Sequence, residues 1–213
     1  MVAVMSRESA FKLVSGTHGL PRQEVARIQR ARLLEAMAQV VAAVGYEETS
    51  VERVLVQAGV SRRTFYELFS DKEDCFLAAY DGAMRQAFRV ITDAYLDCQT
   101  PEQRIEAALE AFLSLCAAEP TLARMCVVEV FAAGPRARER RANFMERLAA
   151  LMEHALSDLR GDEKLDRLAA QALIGGVHEL IYAPIDQGDA DSLPELAREI
   201  VASQIAPMVE VGR

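Results

Sequence analysis

An all-α fold is the expectation from this sequence. Apolar residues recur at steps of three and four, capping signals punctuate those runs, and breakers are scarce, with 11 Gly and 7 Pro in 213 residues. An apolar share of 51% beside 26% charged residues fits a folded chain with a substantial core. No stretch approaches the ~20 uninterrupted apolar residues of a membrane helix, so no membrane partner is expected. The N-terminus lacks the apolar core of a signal peptide, which predicts a cytoplasmic protein. Cys75, Cys98, Cys116 and Cys126 show no C-x-x-C spacing, and buried reduced thiols are expected rather than a zinc site or disulfides.

Residues 1–20 lack periodicity and read as a flexible arm. A first helix is expected over 22–44, with Ile28, Ala31, Leu34, Met37, Val41 and Val44 on one face and Gly45 ending it. Thr49 stands three residues before Glu52, a capping-box spacing, and Val51, Val54, Leu55 and Ala58 make the stripe of a short second helix. Ser61 caps a third helix in which Phe65 and Phe69, one turn apart, face inward together. Two short helices joined through "AGVS" form a helix-turn-helix, which lays its second helix in a DNA major groove. Ser70 and Glu73 form another capping box, opening a fourth helix through Phe76, Tyr80, Met84, Ala87, Ile91 and Tyr95. At ~1.5 Å per residue its roughly 28 residues span ~40 Å, long enough to act as a connecting rod.

Beyond it, Thr100 and Gln103 box a helix that starts at Pro101 and carries Ile105, Leu109, Phe112 and Cys116. Breaks fall near Pro120 and Pro135. A long helix holds Phe144, Leu148, Leu151, Met152 and Leu156, another runs from about 163 to 187, and a last one follows Ser192 with Glu195 completing a box.

Net charge is −8, yet the N-terminal 80 residues balance ten basic against ten acidic side chains, so the whole excess lies in the rest of the chain. The N-terminal third is the part that a polyanion could approach. "ETSVERVLVQAGVSRRTFYELFSDKEDCFLAAY" resembles, in order and spacing, the N-terminal signature of the TetR/AcrR transcriptional regulators. The likeness covers roughly residues 22–80.

The resemblance implies a three-helix DNA-binding domain over 21–70, after the arm of 1–20, joined by the long helix to a ligand-binding and dimerisation bundle over 71–213. It implies that the third helix enters the major groove with Arg62, Arg63 and Thr64 near bases and phosphates, and that Tyr66 and Lys72 contact phosphate. Arginine can pair bidentately with guanine, and threonine can bond to bases. Ser61, Thr49 and Ser50 add hydroxyls and backbone N–H groups near helix N-termini, where anions are favoured. Glu67 and Leu68 depart from the family pattern. Glu67 would repel a phosphate unless it pairs with Arg63, one turn away.

The resemblance further implies double-stranded operator DNA, a small-molecule effector and a homodimer through the last two helices as partners. There, Ala169, Ala172, Gly175 and Gly176 allow close approach, and Ile200, Ile205, Met208 and Val209 add apolar surface. Expected pocket residues are Met84, Phe88, Phe112, Met125, Phe144, Met152, His178 and Tyr182, mostly apolar with few polar anchors. Met-rich walls suit a lipophilic ligand. "HELIY" lacks the second histidine of H-E-x-x-H, and no G-x-S-x-G, Walker or G-x-G-x-x-G pattern occurs. No enzyme, metal or cofactor is expected. The competing possibility is a helical small-molecule-binding protein or enzyme whose N-terminal helices are scaffold only.

Overall fold

A computed structural model describes residues 21–160 and 167–205. Those residues form α1 (Arg22–Val44), α2 (Val51–Ala58), α3 (Arg62–Leu68), α4 (Lys72–Leu96), α5 (Pro101–Ala118), α6 (Pro120–Val127), α7 (Pro135–Arg160), α8 (Arg167–Gln187) and α9 (Leu193–Ile200), with no strand among them.

The helix ends follow local chemistry. Ser50, Ser61, Asp71 and Thr100 each accept a backbone N–H three residues on, satisfying a donor that the first turn leaves free. Gly59 ends α2 in the left-handed conformation (φ 61°), and its N–H donates to the Leu55 carbonyl. A Cβ there would lie 2.8 Å from the end of the Arg32 side chain, which can move aside, so it is the backbone that selects glycine. Pro101, Pro120 and Pro135 each open a helix, where the missing N–H goes unneeded.

Three apolar cores hold the helices together. In the first, Leu33, Met37 and Val41 of α1 pack with Val54 and Leu55 of α2, Phe65 and Phe69, Phe76 and Tyr80 of α4, and Met125 of α6. Phe65 is fully buried, which contributes about 1.5–3 kcal/mol over leaving it exposed. The second core joins α5, α8 and α9 through Leu113, Ile181, Ile185, Leu193 and Ile200. The third joins Tyr95, Ile105, Leu156 and Leu173. Because α6 sits in the first core, helices α1–α3 and the bundle are packed together rather than merely tethered by α4.

Several local expectations need correction. The buried face of α1 centres on Leu33, Ala36, Met37 and Val41, whereas Ala31 is exposed and Val44 largely so. Neither Thr49 nor Ser70 caps a helix. Ser50 caps α2 by accepting the Arg53 N–H, so the donor is Arg53 rather than Glu52, and Asp71 caps α4 while Asp74 accepts the Ser70 N–H. Ser192 forms no side-chain cap, since its hydroxyl donates to the Asp189 carbonyl. Helix α8 has the length and mean hydropathy, 1.2, of a membrane span, though it carries Glu179 and Asp186. The expected arm, Met208 and Val209 lie outside the described residues.

Candidate nucleic-acid interface and effector cavity

Helix α3 lies on the surface, and Phe65 (0% exposed) and Phe69 (4%) pin it from below. That anchoring turns Arg62, Arg63 and Tyr66 outward, with Tyr66 52% exposed. In the free protein both arginines are engaged. Arg62 reaches Glu52 on α2 at 2.5 Å, and Arg63 reaches Glu67 one turn along at 2.9 Å. The Thr64 hydroxyl lies 2.9 Å from that of Ser61, which also accepts the Thr64 N–H. Ser50 is exposed beside α2. Thr49 is not available: it is 3% exposed, and its hydroxyl donates to the Gly45 carbonyl at 2.7 Å. Its backbone position leaves the N-cap to Ser50 and turns its own side chain into the core.

Lys72, the first residue of α4, donates to the Tyr46 carbonyl at 3.0 Å and lies 4.2 Å above the Tyr46 ring. The Tyr46 N–H in turn donates to the Glu129 carboxylate at 2.9 Å. Glu129 follows α6 and lies 3.7 Å from Arg124, which pairs with Asp186 at the end of α8 at 3.2 Å and donates to its carbonyl. A chain of polar contacts therefore runs from α8 through α6 to Lys72 at the start of α4.

Among α4, α5, α6, α7 and α8 lies a cavity of about 120 Å³. Each helix contributes one face at helical spacing: Tyr80, Met84, Ile91 and Tyr95 from α4; Ile105, Ala108, Leu109 and Phe112 from α5; Phe144, Leu148, Met152 and Ala155 from α7; Ile174, Val177, His178 and Ile181 from α8. Of the residues expected to line a pocket, Met84, Phe112, Phe144, Met152 and His178 surround it. Phe88 does not; it faces Arg147, whose guanidinium lies 4.1 Å from its ring. Met125 is wholly buried in the first core, and Tyr182 packs against the second. All three follow the helical period, which marks a side chain as inward but cannot tell core from cavity.

The expected pocket set leaves out three polar lining residues, Arg141, Tyr80 and Tyr95. Arg141 is one arginine in the run "RARERRANF", and only tertiary placement distinguishes it. Its guanidinium lies 4.8 Å from the Phe131 ring, its Nε is shut off from solvent without a hydrogen-bond partner, and it pairs with no carboxylate among the described residues. His178 Nε2 and the Tyr95 hydroxyl are likewise buried and unpartnered. Burial, and secondarily Arg141, pushes the His178 imidazole down to about 4, so it is neutral at pH 7. Burial raises the thiols of Cys75 and Cys116 to about 12 and that of Cys126 further, so they are inert apolar fillers rather than nucleophiles.

Residues 33–79, which hold α2, α3 and the start of α4, match the family of bacterial regulatory proteins, tetR family. The chain is a TetR-family transcriptional regulator. The regulator is 25% identical over 191 residues to the HTH-type transcriptional regulator BetI of Brucella canis, covering 88% of this chain and 96% of that one. It is 23% identical over 155 residues to the fatty acid metabolism regulator protein of Bacillus subtilis, covering 70% and 80% respectively. Among solved structures, FadR from Bacillus subtilis in complex with stearoyl-CoA shares the fold with a TM-score of 0.73 at 21% identity, over 81% of this chain and 95% of that one.

Proposed function

We propose that this regulator is a cytoplasmic repressor and not an enzyme, that it binds a palindromic operator as a dimer, and that a small, mainly apolar molecule releases it. The carrying observation is that one helix, α4, starts at Lys72 beside the helix-turn-helix and lines an apolar cavity along the rest. In this reading Arg62, Arg63 and Thr64 of α3 meet bases, while Ser50, Ser61, Tyr66 and Lys72 hold phosphates. Residues 21–70 serve as the DNA-binding domain and 71–213 as the effector and dimer domain.

The dimer forms through the last two helices. Support comes from the outer face of α8, where Leu168, Ala172, Gly175, Glu179 and Ala183 are exposed at helical spacing, and a Cβ on Gly175 would meet nothing within 4 Å. Nothing within the monomer requires glycine there, whereas a closely approaching partner helix would. A ligand wedged beneath α4 shifts the separation of the two recognition helices, and the contacts through α6 give it a second route to Lys72. Release requires tighter binding to the DNA-incompetent state than to the competent one. The relative that carries stearoyl-CoA supports a lipophilic effector.

Selection from fragmented genomic DNA tests the reading. A palindrome with half-sites about one helical turn apart, ~34–36 Å, is expected, with affinity falling steeply as salt rises. Enrichment of no inverted repeat would refute it.

A further inference from the structure

The cavity is not uniformly apolar, and its polar groups are unevenly placed. Its walls run from Tyr80 to Tyr95 on α4 and from Arg141 to Ala155 on α7. At ~1.5 Å per residue each wall is roughly 20 Å long, so the space is an elongated slot rather than a sphere. The two helices run side by side in the same sense. Arg136 pairs with Glu73 and Arg140 with Asp81 near their starts, while Tyr95, Leu156 and Met152 share the third core near their ends. One end of the slot, nearest α1–α3, therefore holds Tyr80, Arg141 and His178, with Phe131 stacked beneath the guanidinium. The far end holds Ile105, Met152 and Ala155, with the Tyr95 hydroxyl as its polar atom.

Arginine remains charged at every physiological pH. A half-buried guanidinium lacking a carboxylate, with its Nε shut from solvent and unbonded, is costly unless an anion completes it. His178 Nε2, beside it and also unbonded, offers a second polar contact. Resting on the reading that this cavity holds the effector, we infer that the effector is an amphipathic anion: a long unbranched apolar chain lies along the slot, and its anionic end group is held by Arg141 with His178. A free carboxylate supplies that charge directly, and in a coenzyme A thioester, whose acyl carbonyl is neutral, the phosphates of the carrier supply it. Placing the charge at the α1–α3 end puts it against α6, whose Cys126 and Val127 also line the slot, and so next to the Arg124–Glu129–Tyr46 contacts that position Lys72. The apolar chain supplies affinity, and the anion acts where the DNA-facing helices are joined.

The test titrates DNA-free protein with palmitate, palmitoyl-coenzyme A and hexadecanol by calorimetry, below the concentrations at which each forms micelles. Wild type is compared with Arg141→Met, which keeps the side chain's length and apolar stem, and with Arg141→Lys, which keeps its charge. A charge-assisted hydrogen bond predicts that wild type binds at least one anion about ten- to a hundredfold more tightly than hexadecanol. Arg141→Met should lose that preference while binding hexadecanol within about twofold of wild type, which also shows that the variant is folded, and Arg141→Lys should keep part of it. Tighter palmitate identifies the free carboxylate as the end group, and tighter palmitoyl-coenzyme A the phosphates of the carrier. Equal affinity for the alcohol and both anions in wild type, an anion preference that survives Arg141→Met, or no binding of any of the three overturns the inference. Operator binding by the ligand-free protein is measured in parallel. If DNA binds but anions are not preferred, the inference fails and the regulator reading stands; if no DNA binds, it is the regulator reading that fails.

Discussion

Removing the Glu129 side chain should destabilise the protein and weaken its grip on DNA, although Glu129 reaches Lys72 only through Tyr46. Its carboxylate is 12% exposed, accepts the Tyr46 N–H at 2.9 Å and lies 3.7 Å from Arg124. Glu129→Ala leaves that part-buried N–H without an acceptor, a loss of about 1–3 kcal/mol. Arg124 keeps Asp186, so its share of the loss is smaller, under about 1 kcal/mol for a partly exposed pair. A total near ~2–3 kcal/mol corresponds to a fall in Tm of roughly 4–12 °C for a chain of this size. Glu129→Gln retains an oxygen acceptor and loses only the charge, so its Tm should fall by about a third as much. Because the Tyr46 carbonyl and ring hold Lys72, operator affinity at a temperature well below both Tm values should follow the same order, wild type above Gln above Ala. Thermal denaturation and fluorescence anisotropy on a labelled operator measure the two effects. If Gln falls as far as Ala, the charge rather than the Tyr46 N–H carries the loss, and if neither falls, the contact is incidental.

Arg62→Ala or Arg63→Ala should weaken the preferred operator about tenfold and relax base preference at particular positions, whereas Tyr66→Phe and Lys72→Ala should weaken all sequences alike; profiles over a randomised operator library separate the two patterns. His178 has a folded pKa near 4, below its unfolded value of about 6.5, so the unfolded chain binds the extra proton first. Its contribution to stability is complete above pH 6.5 and is lost as pH falls towards 4, and the Tm-against-pH curve of His178→Gln should be flatter than wild type over that interval. If the proposed dimer forms through α8, Gly175→Leu should convert it to monomer and abolish operator binding while leaving the monomer's Tm nearly unchanged, as read by sedimentation velocity; a dimer that persists would place the interface elsewhere.

Helix periodicity and caps were enough to read most of the architecture. Val54, Leu55 and Ala58, then Phe65 and Phe69, repeat at intervals that only one packing direction satisfies, and Pro101, Pro120 and Pro135 mark starts that proline chemistry dictates. Choosing between adjacent cap candidates proved harder. Thr49 and Ser50 both carry a suitable hydroxyl, and the choice between them depends on which side chain the core can take, a tertiary matter. The cavity was half legible for a related reason. Leu109, Phe112, Leu148 and Met152 follow the core period yet remain half-buried because the slot lies where their neighbours would otherwise be. Arg141 carried no local signal, since its role arises from what fails to pair with it.

On the proposed reading, the surface of α3 accounts for how an acidic chain selects DNA. Arg62 and Arg63 are not bare charges in the free protein: Glu52 and Glu67 each hold one of them in an exposed pair. Exposed pairs of this kind contribute little and are screened by salt, so opening them for guanine or phosphate is easy when a complete set of contacts is offered. A duplex offering phosphates alone must compete with both carboxylates and gains no base contact in return. The pairs therefore lower affinity for arbitrary sequence more than for the operator, which is how repulsive elements sharpen discrimination. Glu67, the departure from the family pattern, then acts as a local competitor for Arg63. Replacing it with Gln should raise affinity for non-operator DNA more than for the operator and so narrow the ratio between them. Competition binding against random-sequence duplex measures that ratio, and an unchanged ratio would reduce Glu67 to a solvated surface charge.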